Sequence, residues 1–268
     1  MAEAFGVGLA INHDDSVLVV GASYTAAYTP TGCTVPRAAA DPGLYGQSGL
    51  QCAADEPNCC GAFGPQTGSV RVFLKGDDGL YHQAGHAVLN VGQQYAGKYL
   101  SVAPTAMLAA VGATTGARVN FVQPEDPSNV AGEWHIGGFL EGTAVTSGVA
   151  GNFFGMGVTL VEPAPLDGRV RAFVGTNLGS GYAVVVFDQD AAGDASSWTL
   201  VQTLFSAARG LCGPGADLFG YDHGFDATPD GQTLVVNSPN YAEVRHTPDF
   251  TGSAPVNPVS GATFVFEQ

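Results

Sequence analysis

A pattern of short apolar segments recurs four times along this chain, and this recurrence restricts the possible folds more than any other feature. The fullest copy begins with the pair Phe5-Gly6, continues through an alternating segment and a polar turn, and reaches a second apolar run that closes with Gly21-Ala22. A third run, residues 68–73, follows a long interruption. Runs of β-branched and aromatic residues separated by Gly and Asp are typical of strands joined by turns. Each copy is therefore predicted to be a small antiparallel sheet.

The same order of signals returns downstream, with the starting pairs Tyr95-Ala96, Phe154-Gly155 and Phe219-Gly220. The repeat is about 60 residues long once the interruption in the first copy is discounted, a period typical of arrays and propellers. A further strand-like segment follows the first three copies, at residues 80–88, 133–136 and 197–201. Four strands in each repeat is the composition of a β-propeller blade.

We therefore predict an all-β chain that folds as a β-propeller, with helix in less than about a quarter of its residues. It would form one propeller domain, residues 1–268, with blades at about 1–90, 91–142, 143–206 and 207–268. The predicted first strands run from Ala4 to Ile11, Tyr95 to Val102, Phe154 to Val161 and Phe219 to Phe225. The last copy ends after its third strand, so the ring is completed by more sequence or another subunit, or closes with a three-stranded blade. Trp134 and Trp198 hold equivalent places, where a large aromatic can cover the seam between blades.

An aromatic-Gly pair, an Asp-Gly type turn, Val-Gly-Ala and a final Gly-x-Val-x-Val-Phe resemble the FG-GAP repeat of integrin α-chain heads and of many microbial and algal surface proteins. The resemblance covers nearly the whole chain in four degenerate copies. It implies an integrin-like β-propeller that is secreted or displayed at the cell surface. Family propellers usually carry more repeats, and the Asp-x-Asp-x-Asp-Gly calcium loop of some integrin repeats is absent here. We therefore expect no cofactor and assign no metal site, with calcium left open as an alternative although no loop matches the family's calcium loop.

The charge balance argues against several classes of partner. The formal net charge is −15, and the chain has only two lysines, Lys75 and Lys98. Nucleic acids and anionic lipids are bound through clustered Lys and Arg, so neither is an expected partner. No apolar run is long enough for a spanning helix, so no membrane insertion is expected. No leader precedes Phe5, and the sequence is expected to begin at a processed end or inside a longer precursor.

The interruption at residues 23–67 is rich in proline and contains four cysteines, Cys33, Cys52, Cys59 and Cys60. An even number of cysteines in such a loop predicts disulfide bonds in an oxidising compartment, with free thiols and a metal site as alternatives. A bond between the adjacent Cys59 and Cys60 would be strained, which favours pairing one with Cys33 and the other with Cys52. The predicted location is extracellular or at the cell surface.

Two functions remain open. The first is recognition or adhesion, in which loops at one end of the propeller bind an extracellular protein or glycan. The second is an enzyme, a hydrolase or lyase acting on a polysaccharide, with Asp222, His223 and Asp226 of the fourth copy pointing into the central channel. Only the fourth copy is unusually polar at its first strand, and no motif of a known catalytic class is present. Recognition is therefore favoured, and no catalytic residue is assigned.

The binding surface is predicted from the two longest loops, residues 23–67 and 238–260, because both join a second strand to a third. Such loops leave a propeller at one end, which is also the end that integrin heads use for ligand recognition. Aromatic side chains in these loops would supply rigid contact area. The candidate ligand-binding residues are Tyr24, Tyr28, Tyr45, Phe63, Tyr241 and Phe250. Alternatively, the two loops cover the channel or a subunit contact.

Overall fold

The computed structural model of this chain consists almost entirely of β-strands, which confirms the predicted fold class. The described residues are 5–22, 26–28, 63–66, 68–89, 96–112, 118–144, 153–178, 181–205, 218–222, 224–239 and 261–267. Within them, helix is limited to two three-residue 3-10 turns, Gly142–Ala144 and Ala164–Leu166. None of the helical segments in these ranges has the length and apolar character needed to cross a membrane.

Blade 1 is a four-stranded antiparallel sheet, with a separate small sheet inserted in its sequence. The chain runs through β1 (Phe5–Ile11), β2 (Val17–Ala22), β3 (Ala26–Tyr28), β4 (Phe63–Gln66), β5 (Ser69–Lys75) and β6 (Tyr81–Leu89). The sheet order is β1-β2-β5-β6, while β3 and β4 pair only with each other. The long interruption therefore leaves the blade between its second and third strands.

Blades 2 and 3 repeat this antiparallel meander without the insertion. Blade 2 contains β7 (Tyr99–Val102), β8 (Ala109–Gly112), β9 (Arg118–Pro124) and β10 (Trp134–Glu141). Blade 3 contains β11 (Val158–Val161), β12 (Arg171–Asn177), β13 (Tyr182–Gln189) and β14 (Trp198–Phe205). Blade 4 has three strands in the described residues, β15 (Phe225–Ala227), β16 (Thr233–Ser238) and β17 (Ala262–Glu267). The four sheets form the blades of a propeller.

The first strands of blades 2, 3 and 4 begin later than the sequence pattern predicted. In blade 3, for example, β11 begins at Val158, four residues after Phe154. In blades 3 and 4 the glycine after the aromatic residue has a positive φ, +90° at Gly155 and +69° at Gly220, and contacts the preceding blade, so strand pairing begins only after it. In blade 1, by contrast, Gly6 also has a positive φ, but Phe5 still pairs with Ala22 across a bulge. In blade 2 this place belongs to Gly97 (φ +91°), so the structural counterpart of Phe5-Gly6 is Ala96-Gly97, one residue after the pair chosen from sequence.

Apolar clusters fill the seams between successive blades. Alternate residues of each strand point to opposite faces of a sheet, so each blade contributes one set of side chains to each neighbour. At the seam between blades 1 and 2, Val17, Val19, Val70 and Val72 pack with blade 2 residues that include Val111. The seams between blades 2 and 3 and between blades 3 and 4 are filled in the same way. These clusters form the core of the propeller.

The two tryptophans lie at the seams, as predicted. Trp134 is buried in the cluster between blades 1 and 2, and its indole N–H donates to the carbonyl of Val130 at 2.9 Å. Trp198 of blade 3 stacks on Phe121 of blade 2, with ring centroids 4.2 Å apart and an interplanar angle of 15°. Their repetition reflects packing between blades.

Candidate binding site

A cavity of about 670 Å³ lies where the first strands of the four blades converge. Its walls come from β1, β7, β11 and β15 together with the turns that follow them. The residues that line it are Val7, Gly8, Leu9, Ala10, Ile11, His13, Lys98, Leu100, Ser101, Val102, Pro104, Val158, Thr159, Leu160, Phe225, Asp226, Ala227 and Pro229. Most of these side chains are aliphatic or small, so the cavity presents few ionisable groups.

Lys98 and Asp222 form a bridge from blade 2 to blade 4. The Lys98 ammonium lies 2.9 Å from Oδ1 of Asp222 and 3.0 Å from the hydroxyl of Tyr99. The Tyr99 hydroxyl also donates to Oδ1 of Asp222. Lys98 directly precedes β7 and Asp222 lies shortly before β15, so the bridge joins the starts of the first strands of two blades that blade 3 separates in the sequence. It neutralises the lysine that lines the cavity.

The environment of the bridge shifts two of its pKa values. Burial of Tyr99 and its hydrogen bond to Asp222 raise the pKa of this tyrosine to about 12. Burial alone would lower the pKa of Lys98, but its hydrogen bonds to Tyr99 and Asp222 outweigh that effect and raise this pKa above its ordinary value. Both groups therefore keep their protons at neutral pH, and neither is poised to act as a general base.

The two ends of the propeller differ in construction. Because successive strands are antiparallel, turns such as residues 12–16 and 228–232 lie at one end, called here the turn end. Connections between second and third strands, and between successive blades, lie at the other, the insertion end. The chain leaves Ala22 and returns at Ser69, its register partner, and it does the same at Ser238 and Ala262. Both long insertions therefore start and finish at the end that also holds the Lys98 bridge.

A carboxylate joins two blades at the turn end. Oε1 of Glu162 accepts hydrogen bonds from the backbone N–H groups of Thr105 and Ala106, at 2.8 and 2.6 Å, and Oε2 accepts one from the Thr105 hydroxyl at 2.5 Å. The backbone N–H of Glu162 donates to the carbonyl of Pro229 in blade 4 at 2.9 Å. Glu162 thus links the turns of blades 2, 3 and 4, and its charge is used in this structural role.

The residues predicted for the channel have separate roles. Asp226 lines the cavity, and its carboxylate accepts the backbone N–H of Ala227 at 2.8 Å. Asp222 lies before β15 with φ +52° and belongs to the bridge. His223 is outside the described residues. No group of three or more His, Cys, Asp or Glu side chains that could hold a metal occurs in the described ranges.

The residues predicted to bind a ligand stay predictions. Tyr24, Tyr45, Tyr241 and Phe250 lie outside the described residues, as do Cys33, Cys52, Cys59 and Cys60. Tyr28 and Phe63 are register partners in the small sheet of β3 and β4, whose side chains are not among those described. The backbone alone thus places this aromatic pair on the insertion between Ala22 and Ser69.

Sequence reasoning missed Lys98, Tyr99 and Glu162. The first two were visible only as departures from the repeat, since the second copy has Lys and Tyr where the first has small or aliphatic residues. That departure was a usable signal, because Lys98 is one of only two lysines in the chain. Glu162 gave no comparable signal, since a single acid after a strand is common in an acidic protein.

Comparisons with known proteins do not identify a family. No protein-family model matches the chain, and no curated protein is similar to it, so membership of the FG-GAP family stays a prediction. Among solved structures, it is similar to Sqt1 of Chaetomium thermophilum bound to the N-terminus of ribosomal protein L10, with 14% identity and a TM-score of 0.47. The match covers 89% of this chain and 44% of that one.

Two lactonase-related structures match at lower scores. One is a candidate 6-phosphogluconolactonase of Bacteroides uniformis, with 10% identity, a TM-score of 0.43 and coverage of 85% of this chain and 46% of that one. The other is the periplasmic gluconolactonase PpgL of Pseudomonas aeruginosa, with 12% identity, a TM-score of 0.37 and coverage of 85% and 63%. The chain spans less than two thirds of the length of each of these three proteins. The fold of this chain, a β-propeller with four blades, is established by its own sheets.

Proposed function

We propose that this chain is a non-enzymatic recognition module, which binds an extracellular protein or glycan through the loops at the insertion end. The observation that carries the proposal is that both long insertions start and finish at that one end. Loops on a rigid scaffold are the usual location of binding residues, and aromatic side chains are frequent anchors. The candidate contacts are Tyr24, Tyr28, Tyr45, Phe63, Tyr241 and Phe250.

The chemistry of the central cavity supports recognition over catalysis. The ionisable residues that line the cavity are His13, Lys98 and Asp226, and the Lys98 ammonium is paired with Asp222. General acid–base catalysis needs groups whose protonation changes near the working pH and which converge on one point. The enzyme alternative rests on Asp226, an exposed carboxylate in the cavity wall.

Loop replacement tests the proposal. The full chain is screened for binding to arrays of surface glycans and of extracellular protein domains, and then compared with variants in which residues 23–67 or 239–260 are replaced by a short turn. We expect binding to fall at least about tenfold, the equivalent of one lost anchor of about 1.4 kcal/mol. Asp194→Asn, at the turn end, is the matched control and should keep its affinity.

Each outcome of this test has a clear meaning. Binding that survives both loop replacements, in variants that melt as the parent does, would place recognition elsewhere. Turnover of a polysaccharide by the full chain, lost in Asp226→Asn, would replace recognition by the enzyme alternative.

The extracellular location is tested by the oxidation state of the insertion. If Cys33, Cys52, Cys59 and Cys60 form two disulfide bonds, the unreduced protein has a mass lower than that of the reduced form by about four hydrogens. Closing loops of this kind restricts the unfolded chain, so reduction should loosen the insertion before the blades. Full alkylation of these four thiols without a reductant would contradict the disulfide prediction and remove the support for this location.

A further inference from the structure

A close contact between glycines recurs at each of the three seams between successive blades. A Cβ atom added to Gly21 would fall within 3.0 Å of the Gly97 carbonyl oxygen in blade 2. The same overlap would occur between Gly112 and Gly155 at the next seam. At the third seam, a Cβ on Gly175 would lie 3.0 Å from the carbonyl oxygen of Gly220. Blades 1, 2 and 3 thus each offer a glycine of the second strand as a socket for the glycine that opens the next blade.

Gly6 opens blade 1 as Gly97, Gly155 and Gly220 open the other blades, but it has no socket. Its φ of +82° matches the +91° and +90° of the first two of these counterparts. Yet a Cβ added to Gly6 would meet no atom within 4 Å, apart from its chain neighbours. Gly6 therefore has the conformation of a seam glycine and is left without the contact in the described part of the chain.

The face of blade 1 beside Gly6 has the side chains of a seam but is exposed. Counting from the opening glycine, Leu9 and Ile11 correspond to Leu100 and Val102 of blade 2, and the strand registers agree. Leu100 and Val102 are buried against blade 1, whereas Leu9 and Ile11, which also line the cavity, are 66% and 50% exposed. Phe5, on the same strand, is 51% exposed. The same side of the sheet continues through Leu18 and Val20 of β2 and through Arg71 and Phe73 of β5. Val20 is buried and the other three are half-buried.

Blade 4 of this chain, or of a second copy, lacks the matching socket. Asn237 lies where the other blades have the socket glycine. In blade 3, the N–H of Gly155 donates to the carbonyl of the socket glycine Gly175 at 2.9 Å. In blade 4, the N–H of Gly220 donates in the same way to the backbone carbonyl of Asn237 at 2.9 Å. The Thr263 hydroxyl donates a hydrogen bond to the side-chain oxygen of Asn237 at 2.9 Å, which fixes the position of this side chain. A side chain there occupies the space into which a neighbouring opening glycine would fit.

We propose that this face of blade 1 docks a blade-like antiparallel sheet of a partner protein, which carries glycine at the position that Gly21 occupies in blade 1. The three internal seams define what such a partner needs. Its second and third strands would present β-branched side chains at alternate positions, as Val17, Val19, Val70 and Val72 do toward blade 2. Apolar burial supplies the affinity, and the glycine socket supplies the selectivity. The inference is independent of the proposed ligand recognition at the insertion end.

An extended chain provides a defined probe of this face. A second copy of residues 153–218 is placed directly before Phe5 of the full chain, so that Phe5-Gly6 follows the added blade as Phe219-Gly220 follows blade 3. The matched control carries Asn in place of the added copy's socket glycine, the counterpart of Gly175. We expect the glycine version to melt several degrees above the Asn version. Equal melting temperatures would overturn the selectivity that defines the partner.

The substitution Leu9→Asn shows whether the face is free in the chain itself. We expect it to leave the melting temperature of the original chain nearly unchanged and to remove the gain of the extended one. A large loss of stability in the original chain would mean that another segment of this chain already covers the face, and the proposal would fall.

Sedimentation distinguishes a different partner protein from a second copy of this chain as the occupant of the face. The original chain is expected to sediment as a monomer, and Asn237→Gly is expected to associate in a way that Leu9→Asn abolishes. Association of the original chain that depends on Leu9 would identify a second copy as the occupant and overturn the assignment to another protein. An Asn237→Gly variant that stays monomeric at high concentration would show that the socket glycine does not control docking.

Discussion

The two ends of this propeller are stabilised by interactions of different range. At the turn end, most polar contacts join residues a few positions apart, such as the Asp14 carboxylate and the Ser16 hydroxyl at 2.6 Å. The same local arrangement recurs at Asp126 with Ser128 and at Asp194 with Ser196. At the insertion end, Lys98 binds Asp222, 124 positions away in the sequence. The comparison indicates that local contacts shape each turn, while distant contacts fix the position of one blade against the next.

The largest effect is expected where two blades meet at the insertion end. In Gly21→Val, the new side chain would overlap with the Gly97 backbone, which belongs to another blade and cannot move alone. Overpacking of this kind costs about 3 kcal/mol in the free energy of unfolding. Gly6→Asn is the control, because the space around Gly6 is open and Asn tolerates a positive φ. Urea unfolding of both variants measures the difference, and equal losses would contradict the role assigned to the seam.

Glu162 provides an exception that sharpens the comparison, because it makes distant contacts at the turn end. Glu162→Ala removes three hydrogen bonds to Thr105 and Ala106, and hydrogen bonds to a charged group stabilise by about 1.5 to 3 kcal/mol when buried. With Thr105 exposed, we expect a loss of about 1 to 2 kcal/mol. Asp77→Ala, in the exposed turn between β5 and β6, is the comparison variant. If both variants unfold at the same urea concentration, the sequence separation of the contacting residues would not explain how much a contact stabilises the propeller.

The bridge at the insertion end should be visible in alkaline solution. The pKa of Tyr99 is about 12 in the folded chain, compared with 10.0 for an unperturbed tyrosine. Because the folded value is raised, the stabilisation is complete below pH 10 and is lost as the pH rises toward 12. Tyr99→Phe should lose about 1 kcal/mol at neutral pH and show a shallower alkaline decline. A decline identical to that of the parent chain would argue against the bridge.

The smallest effects are expected at the local turns. Hydrogen bonds from the Ser128 side chain and backbone lower the pKa of Asp126 below its ordinary value of 3.8, and Ser196 has the same effect on Asp194. A lowered folded pKa contributes stability that is present above pH 3.8 and is lost as the pH falls through the folded value. Asp126→Asn should therefore be nearly neutral at pH 7 and slightly flatten the acid limb of the stability profile. A loss comparable to that of Gly21→Val would overturn the distinction between the two ends.

The sequence predicted the strands that carry their own local signals. Val17–Ala22 is a continuous run of apolar residues and glycine, and Arg171–Asn177 has an apolar centre. The turns before these strands contain Asp15, Asp167 and Gly168 at positions with positive φ. The predicted outer strands were also found, with β6 at Tyr81–Leu89 and β14 at Trp198–Phe205. Such elements follow from neighbours in the sequence, so a repeated local pattern is sufficient to identify them.

The first strands were harder to locate because their limits depend on another blade. The sequence pattern starts each first strand at the aromatic-glycine pair. In blades 3 and 4, however, this glycine contacts the preceding blade, and β11 and β15 begin after it. In blade 2 the pattern was displaced by one residue, since Gly97, which makes the seam contact, follows Ala96 and no aromatic residue. Only the close approach of two backbones reveals which residue serves this role.

The sequence by itself determined the all-β class, the number of blades and the position of the insertions, because periodic apolar runs and turn residues act over a few neighbouring positions. The tertiary structure decided which polar residues meet. Lys98, Tyr99 and Asp222 come together, and Glu162 reaches Thr105, only after the blades have packed. It also decided that the described residues leave Gly6 and Leu9 uncovered, although both repeat the pattern of residues buried at other seams. The physical reason is that the burial of a side chain and its polar partners depend on which surfaces of the folded chain face each other. A sequence repeat produces the same local geometry in each copy, whether or not a neighbouring blade covers it.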